Sequence, residues 1–318
     1  MFIWLLTGLI GVFTIFFNLY ILLMSLRTYR QNGHWIPSET IIAALTLVNG
    51  AHQVVSYLFL TLDKMDTQCI VSEHLISTLL VVIYSLKFCI MWTTAFLTFY
   101  YSTKLVIEPI HCYTKVQEAI LKHVTTVVLL IALCAFGSCL PMIVVLTNQR
   151  AEGDAYDCGT LRPKGFPGLV YMGYYLLMSD IVPGLLMAKC SISISVHLAI
   201  HLRHMKASAN GFHGPKLGSE MRVIRMNLGL VAIFILFLVV DLYVHYMNVV
   251  ENKNAMPLTV LFTSFYTAVS TLVLIYGRKT FCKELLLQFR LVLGAYARAC
   301  PCLKDPEDQP AVSAAPGH

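Results

Sequence analysis

The chain is built from long apolar runs separated by short polar links. Seven runs are long enough to cross the ~20-residue hydrocarbon core of a bilayer as helices. They are Phe2–Leu26, Thr40–Leu62, Leu75–Leu105, Val124–Leu146, Leu169–Leu202, Val223–Met247 and Met256–Tyr276. The link from His201 to Pro215 is the most informative. Gly211, Gly214 and Pro215 break one helix there before the next begins, and Arg203, Lys206, Lys216, Arg222 and Arg225 make the region around it basic. After the seventh run, Phe281, Leu285, Phe289 and Leu293 recur every fourth residue within Thr280–Leu293, which predicts an amphipathic helix on the membrane surface. From Pro301 onward the chain reads as a disordered cytoplasmic tail. The pattern therefore predicts an all-α membrane protein: one seven-helix domain over residues 1–300, then a tail over 301–318.

Composition agrees. Hydrophobic residues make up 57% and charged residues 13%, with a mean hydropathy of +0.70. A soluble domain carries about 25% charge. The first run has no basic residues before it, exceeds the length of a signal peptide's apolar region and is followed by Arg27 and Arg30, so it is read as a retained helix.

The basic residues orient the bundle. Arg27 and Arg30, then Lys104, Lys115 and Lys122, then the five around the fifth link, then Arg278, Lys279, Lys283, Arg290, Arg298 and Lys304 all fall on one side. The other side holds Lys64, Arg150, Arg162, Lys164 and Lys253, while Lys87 and Lys189 lie within runs. This bias places the N-terminus outside and the C-terminus inside. The net charge of +6 is then a membrane-surface charge. Nucleic-acid binding needs a soluble basic domain, which the pattern lacks.

Of ten cysteines, Cys69 and Cys158 alone fall on the oxidising outer side, and they are expected to pair; two free thiols are the alternative. Cys300 and Cys302 are candidates for palmitoylation.

Ionisable residues inside spans are costly and point to function. Lys87, Asp180 and Asp241 fall at comparable depths in the outer half, and Lys189 lies deeper, where it pairs or snorkels. Two readings of Lys87 and Asp241 stand: pocket residues that meet a ligand, or an ion pair that only fixes helix packing. Ile83, Phe88, Tyr175, Ser179, Phe237, Val260 and Thr263 are candidates to line the same cavity. Asn18 reads as interhelical glue. No catalytic pattern, phosphate-binding loop or cofactor motif stands out. His197 and His201 have helical metal-ligand spacing but no third ligand, so no metal site is expected.

Several segments together resemble the bitter taste receptors (taste receptor type 2). In the third run, Trp92 is followed by Phe99–Tyr100–Tyr101–Ser102–Thr103–Lys104–Leu105 at that family's spacing. Ile181–Val182–Pro183 begins an ungapped match that continues through His201–Leu202, Met205, Gly211 and Pro215. Asn18–Leu19–Tyr20–Ile21 resembles the family's first helix, and Ile275, Lys279 and Lys283 fit the end of its seventh. Departures are equally specific. Asn49 stands for the family's Arg, Ile83 for a pocket Trp, Glu220 for a His, and Asn148 has no glycosylation sequon.

The resemblance implies a plasma-membrane receptor for small bitter-type agonists, coupled to a heterotrimeric G protein of the gustducin or inhibitory class. It implies that Lys104, His201, Arg203, Lys206, Arg222 and Arg225 meet that G protein. A vomeronasal type 1 receptor, another rhodopsin-like receptor, and a channel or transporter are the alternatives.

Overall fold

A computed structural model describes residues 2–65, 73–105, 111–147, 165–208, 218–249 and 255–299. Cys69 and Cys158, and the tail from 301, lie outside the described residues. The helices in chain order are α1 (Phe2–Asn32), α2 (Pro37–Met65), α3 (Glu73–Leu105), α4 (His111–Lys122), α5 (Val124–Cys139), α6 (Met142–Thr147), α7 (Gly165–Leu176), a π-helical segment (Leu177–Ile181), α8 (Val182–Ser208), α9 (Gly218–Val249), α10 (Met256–Gly277) and α11 (Lys279–Ala299).

Among the described residues these elements make seven spans long and apolar enough to cross a membrane: α1, α2, α3, α5 with α6, α7 with the π segment and α8, α9, and α10. They coincide with the seven apolar runs. The protein is a seven-transmembrane helix bundle.

Local chemistry sets the interruptions. Pro141 has no N–H to give back to the preceding turn, and the fourth span breaks there. Its carbonyl accepts from Val144 and Val145 to start α6. Arg278 adopts an extended backbone (φ −99°, ψ 106°) that ends α10 and lets α11 turn away.

α3 is the axis of the bundle. It packs on α2, α5 and α8, and most of its length is buried, whereas the fourth span turns much of its surface outward. In lipid, burying apolar surface does not by itself drive helices together. Close van der Waals packing and interhelical hydrogen bonds do. Both are present. A Cβ on Gly277 would overlap Met226, so the glycine lets α10 approach α9 closely. A Cβ on Gly184 would stand 2.8 Å from Phe234, which serves α8 and α9 in the same way. Asn18 Oδ1 accepts from Thr271 (3.3 Å), and Gln53 Nε2 donates to Thr267 (2.6 Å), joining α1 and α2 to α10. Such bonds contribute about 0.6 kcal/mol each on average in membrane bundles.

α11 runs to Ala299, longer than the apolar repeat requires, and Phe281 is buried beneath it. Tyr20 donates to the Phe281 carbonyl at 2.7 Å, fastening α11 to α1.

Candidate functional site: a buried charge cluster between α3, the π segment and α9

Lys87 sits in the buried middle of α3 and is 1% exposed. A charge removed from water needs opposite charge close by. Two carboxylates provide it. Asp241 Oδ2 on α9 accepts a hydrogen bond from Lys87 Nζ at 2.7 Å. Both Asp180 oxygens lie 3.4 Å from the same nitrogen.

Asp180 reaches this position through the π-helical segment. Pro183 lacks an N–H, so the turn before it cannot close as an ordinary α-helix. The chain widens into π geometry over Leu177–Ile181, which changes the facing of the residues within it. Ser179 and Asp180 are fully buried as a result, and the Ser179 hydroxyl donates to Asp180 Oδ2. Trp92 Nε1 donates to the Met178 carbonyl at 2.8 Å, stitching α3 to the widened turn.

Aromatic rings wall the cluster. Lys87 Nζ stands 5.6 Å from the Tyr175 ring centroid and 5.5 Å from that of Phe237, within cation–π range. Tyr175 packs edge-on against Tyr84 and donates its hydroxyl to the Tyr84 carbonyl at 3.0 Å. Phe237 packs on Tyr266 of α10.

One turn outward of Asp241, His245 completes the group. Its Nδ1 lies 2.9 Å from the Asp241 carbonyl and 3.4 Å from Asp241 Oδ2. Both partners only accept, so Nδ1 carries the proton. Nε2 is buried without a partner. Asp180 Oδ1 and Asp241 Oδ1 also receive no hydrogen bond.

The structure thus gathers Lys87, Asp180, Asp241, Ser179, Tyr175 and Phe237, all singled out in the sequence, and adds Tyr84 and His245. Ile83, Phe88 and Val260 belong to the apolar cluster around Tyr84 and Tyr175. Phe88 stacks on Trp92. Thr263 is buried and donates to the Thr259 carbonyl of its own helix. His245 was findable from its i+4 spacing to Asp241, which puts both on one helix face.

A second polar group holds the inner ends of α1, α2 and α10. Arg278 Nη1 pairs with Glu39 Oε1, Ser25 donates to Glu39 Oε2 at 2.8 Å, and Arg278 Nη2 donates to Ser38 at 3.2 Å. Arg27 and Glu284 pair at 3.8 Å nearby.

The inner ends of α3, α8 and α9 present basic side chains instead. Lys104, Arg203 and Arg225 are exposed, and Arg222 packs its guanidinium 5.8 Å from the Tyr276 ring. The side chains of His201 and Lys206 lie outside the described residues. Lys189 is exposed on the flank of α8.

Seven apolar helices in this orientation, with a charged cluster buried between the third, fifth and sixth spans, define a seven-transmembrane receptor of the G-protein-coupled class. The chain belongs to the taste receptor protein (TAS2R) family, which it matches over residues 1–292. It is a multi-pass plasma-membrane protein of the bitter taste receptor family, and that family is one of receptors rather than enzymes. No curated protein matches the chain.

Proposed function

We propose that this protein is a chemosensory receptor whose Lys87-centred cluster is the floor of an outer ligand pocket, and that agonist binding there activates a G protein of the gustducin or inhibitory class. The observation that carries this reading is the position of the cluster. One ammonium ties α3 to the π segment and to α9, so any ligand that alters those contacts changes how three spans pack. A ligand shifts a conformational equilibrium only by binding one arrangement better than the other. Contacts shared among three helices supply that difference.

Tyr175, Phe237, Ser179, Ile83, Phe88, Val260 and Thr263 form or flank the walls. At the inner end, Lys104, His201, Arg203, Lys206, Arg222 and Arg225 are the G-protein contacts. Surface charges of this kind govern encounter rate and orientation more than affinity. A Cys69–Cys158 bridge on the outer side is part of this proposal, and mass spectrometry of non-reduced peptides tests it; recovery of both as free thiols refutes it.

The test is a screen of bitter compounds in cells expressing the protein with a promiscuous G protein and a calcium readout. A dose-dependent response to at least one compound, weakened at its maximum by Arg203→Ala with Lys206→Ala at equal surface expression, is the expected result. Absence of any G-protein response together with ion current or solute flux overturns the reading.

A further inference from the structure

The two edges of α11 differ in charge. Phe281 is buried and Leu285 packs against the core, so this face holds the helix to the bundle. Beside it, Leu286 and Phe289 are 57% and 53% exposed. Beyond these come Lys279, Lys283 and Arg290, all exposed. Their spacing of four and then seven residues brings the three within about 40° of one another around a helix. Glu284, the only acid in α11, falls on the other side of the apolar face, where Arg27 of α1 pairs with it at 3.8 Å. No carboxylate of α11 shares the edge with the three cations.

The neighbouring link marks the level of the lipid headgroups. Gly33 (φ 72°) ends α1 in a left-handed turn and returns its N–H to the Tyr29 carbonyl at 2.9 Å. Past that turn, Trp35 stacks on Tyr29 with ring centroids 5.0 Å apart, and both rings are 39% exposed. Such rings concentrate where hydrocarbon meets headgroups. Arg27, two residues before Tyr29, ties α11 to this end of α1.

We propose that the Lys279–Lys283–Arg290 edge of α11 binds the headgroup of an anionic phospholipid of the inner leaflet, with Leu286 and Phe289 among its acyl chains. Such a lipid supplies apolar chains and negative charge side by side, as the helix presents apolar and basic side chains side by side. Lys and Arg stems can lie along the apolar surface while their heads reach the phosphate. A zwitterionic lipid has no net charge to match the edge, and a second copy of the chain would bring the same positive edge. The cytoplasmic leaflet carries the anionic lipids. The inference needs no agonist and stands apart from the Lys87 cluster.

The test places the full-length receptor in nanodiscs of mixed phosphatidylcholine and phosphatidylserine. Native mass spectrometry then counts the lipids that stay with the protein. Phosphatidylserine is expected to be retained in preference. Lys279→Gln with Lys283→Gln is expected to lower that preference by about tenfold or more, because each basic residue near the surface contributes about fivefold. Lys279→Arg with Lys283→Arg keeps the charge and is expected to keep the preference. Arg203→Gln with Arg225→Gln removes as much charge from the same side of the bundle and is expected to change it by less than about twofold. Thermal unfolding in phosphatidylcholine alone should be alike for wild type and variants, which separates a lost lipid contact from a lost fold. Added sodium chloride should weaken the wild-type preference, a readout that needs no variant.

The proposal is overturned if wild type retains both lipids equally, if the Lys→Gln pair keeps the full preference, or if salt leaves it untouched. It also fails if the Arg203 and Arg225 pair lowers the preference as much, because bulk charge then explains it. Inorganic phosphate that abolishes retention at matched ionic strength would assign the edge to free phosphate and overturn the lipid.

Discussion

Two buried ion-pair groups hold this bundle, one in its outer half and one at its inner face, and they differ in how completely they are satisfied. At the inner face, Arg278 meets one carboxylate, Glu39, and two serine hydroxyls complete the set. Charges cancel and both Glu39 oxygens are occupied, while Arg278 Nε is buried without a hydrogen bond. In the outer half, one ammonium meets two carboxylates, and Asp241 Oδ1 and His245 Nε2 are buried without a hydrogen-bond partner. Evolution of a structural clamp favours closure, because each unpaired buried group costs about 1–3 kcal/mol. A site awaiting a ligand must leave groups open for it. Under the proposed function, the inner group serves architecture and the outer one recognition.

The largest expected effect comes from removing the shared ammonium. Lys87→Ala leaves two carboxylates buried with no cation and is expected to cost about 3–5 kcal/mol, measured as loss of surface-expressed, folded protein. Breaking the inner clamp is smaller, because Arg278 is partly exposed and can turn to the aqueous face. Glu39→Ala is expected to lower stability by about 1.5–3 kcal/mol in thermal unfolding while agonist potency is unchanged at equal surface level. An altered agonist preference there would erase the distinction between the two groups.

The π segment sharpens the comparison. Trp92→Phe removes the hydrogen bond that holds the widened turn and is expected to cost about 1 kcal/mol. Its effect should appear in ligand potency as well as stability, because the turn positions Asp180. The smallest stability effect is expected at the basic inner ends. Arg225→Ala should change unfolding by no more than about 0.5 kcal/mol yet reduce the maximal calcium response. A change in ligand affinity with an unaltered maximum would contradict the placement of that surface.

The spans were legible because each apolar run is long and bounded by basic links, and hydropathy alone finds such segments. Lys87 and Asp241 were legible because charges stand out in apolar runs. Asp180 stood out too, but its contact with Lys87 depends on the change of register at the π segment. No 3.6-residue periodicity anticipates that change. The Arg278–Glu39 pair was hidden for another reason. Residues flanking membrane helices read as solvated, and only the turn after Gly277 brings Arg278 onto α2. Asn49 stands in place of the family's Arg. Both polar atoms of its amide are buried without hydrogen bonds among the described residues, and the links from α1 and α2 to α10 run through Asn18–Thr271 and Gln53–Thr267.

The division of labour between the two groups is tested most directly by exchanging the outer pair. In a double-mutant cycle, Lys87→Asp and Asp241→Lys are made singly and together, and surface expression and agonist concentration–response are measured for each. Each single change is expected to lose folded protein. The double exchange is expected to restore expression while shifting agonist preference, because the charges pair again with their positions reversed against the ligand. Restored expression with an unchanged agonist profile would show that the pair serves packing alone and would contradict the assignment of recognition to the outer cluster.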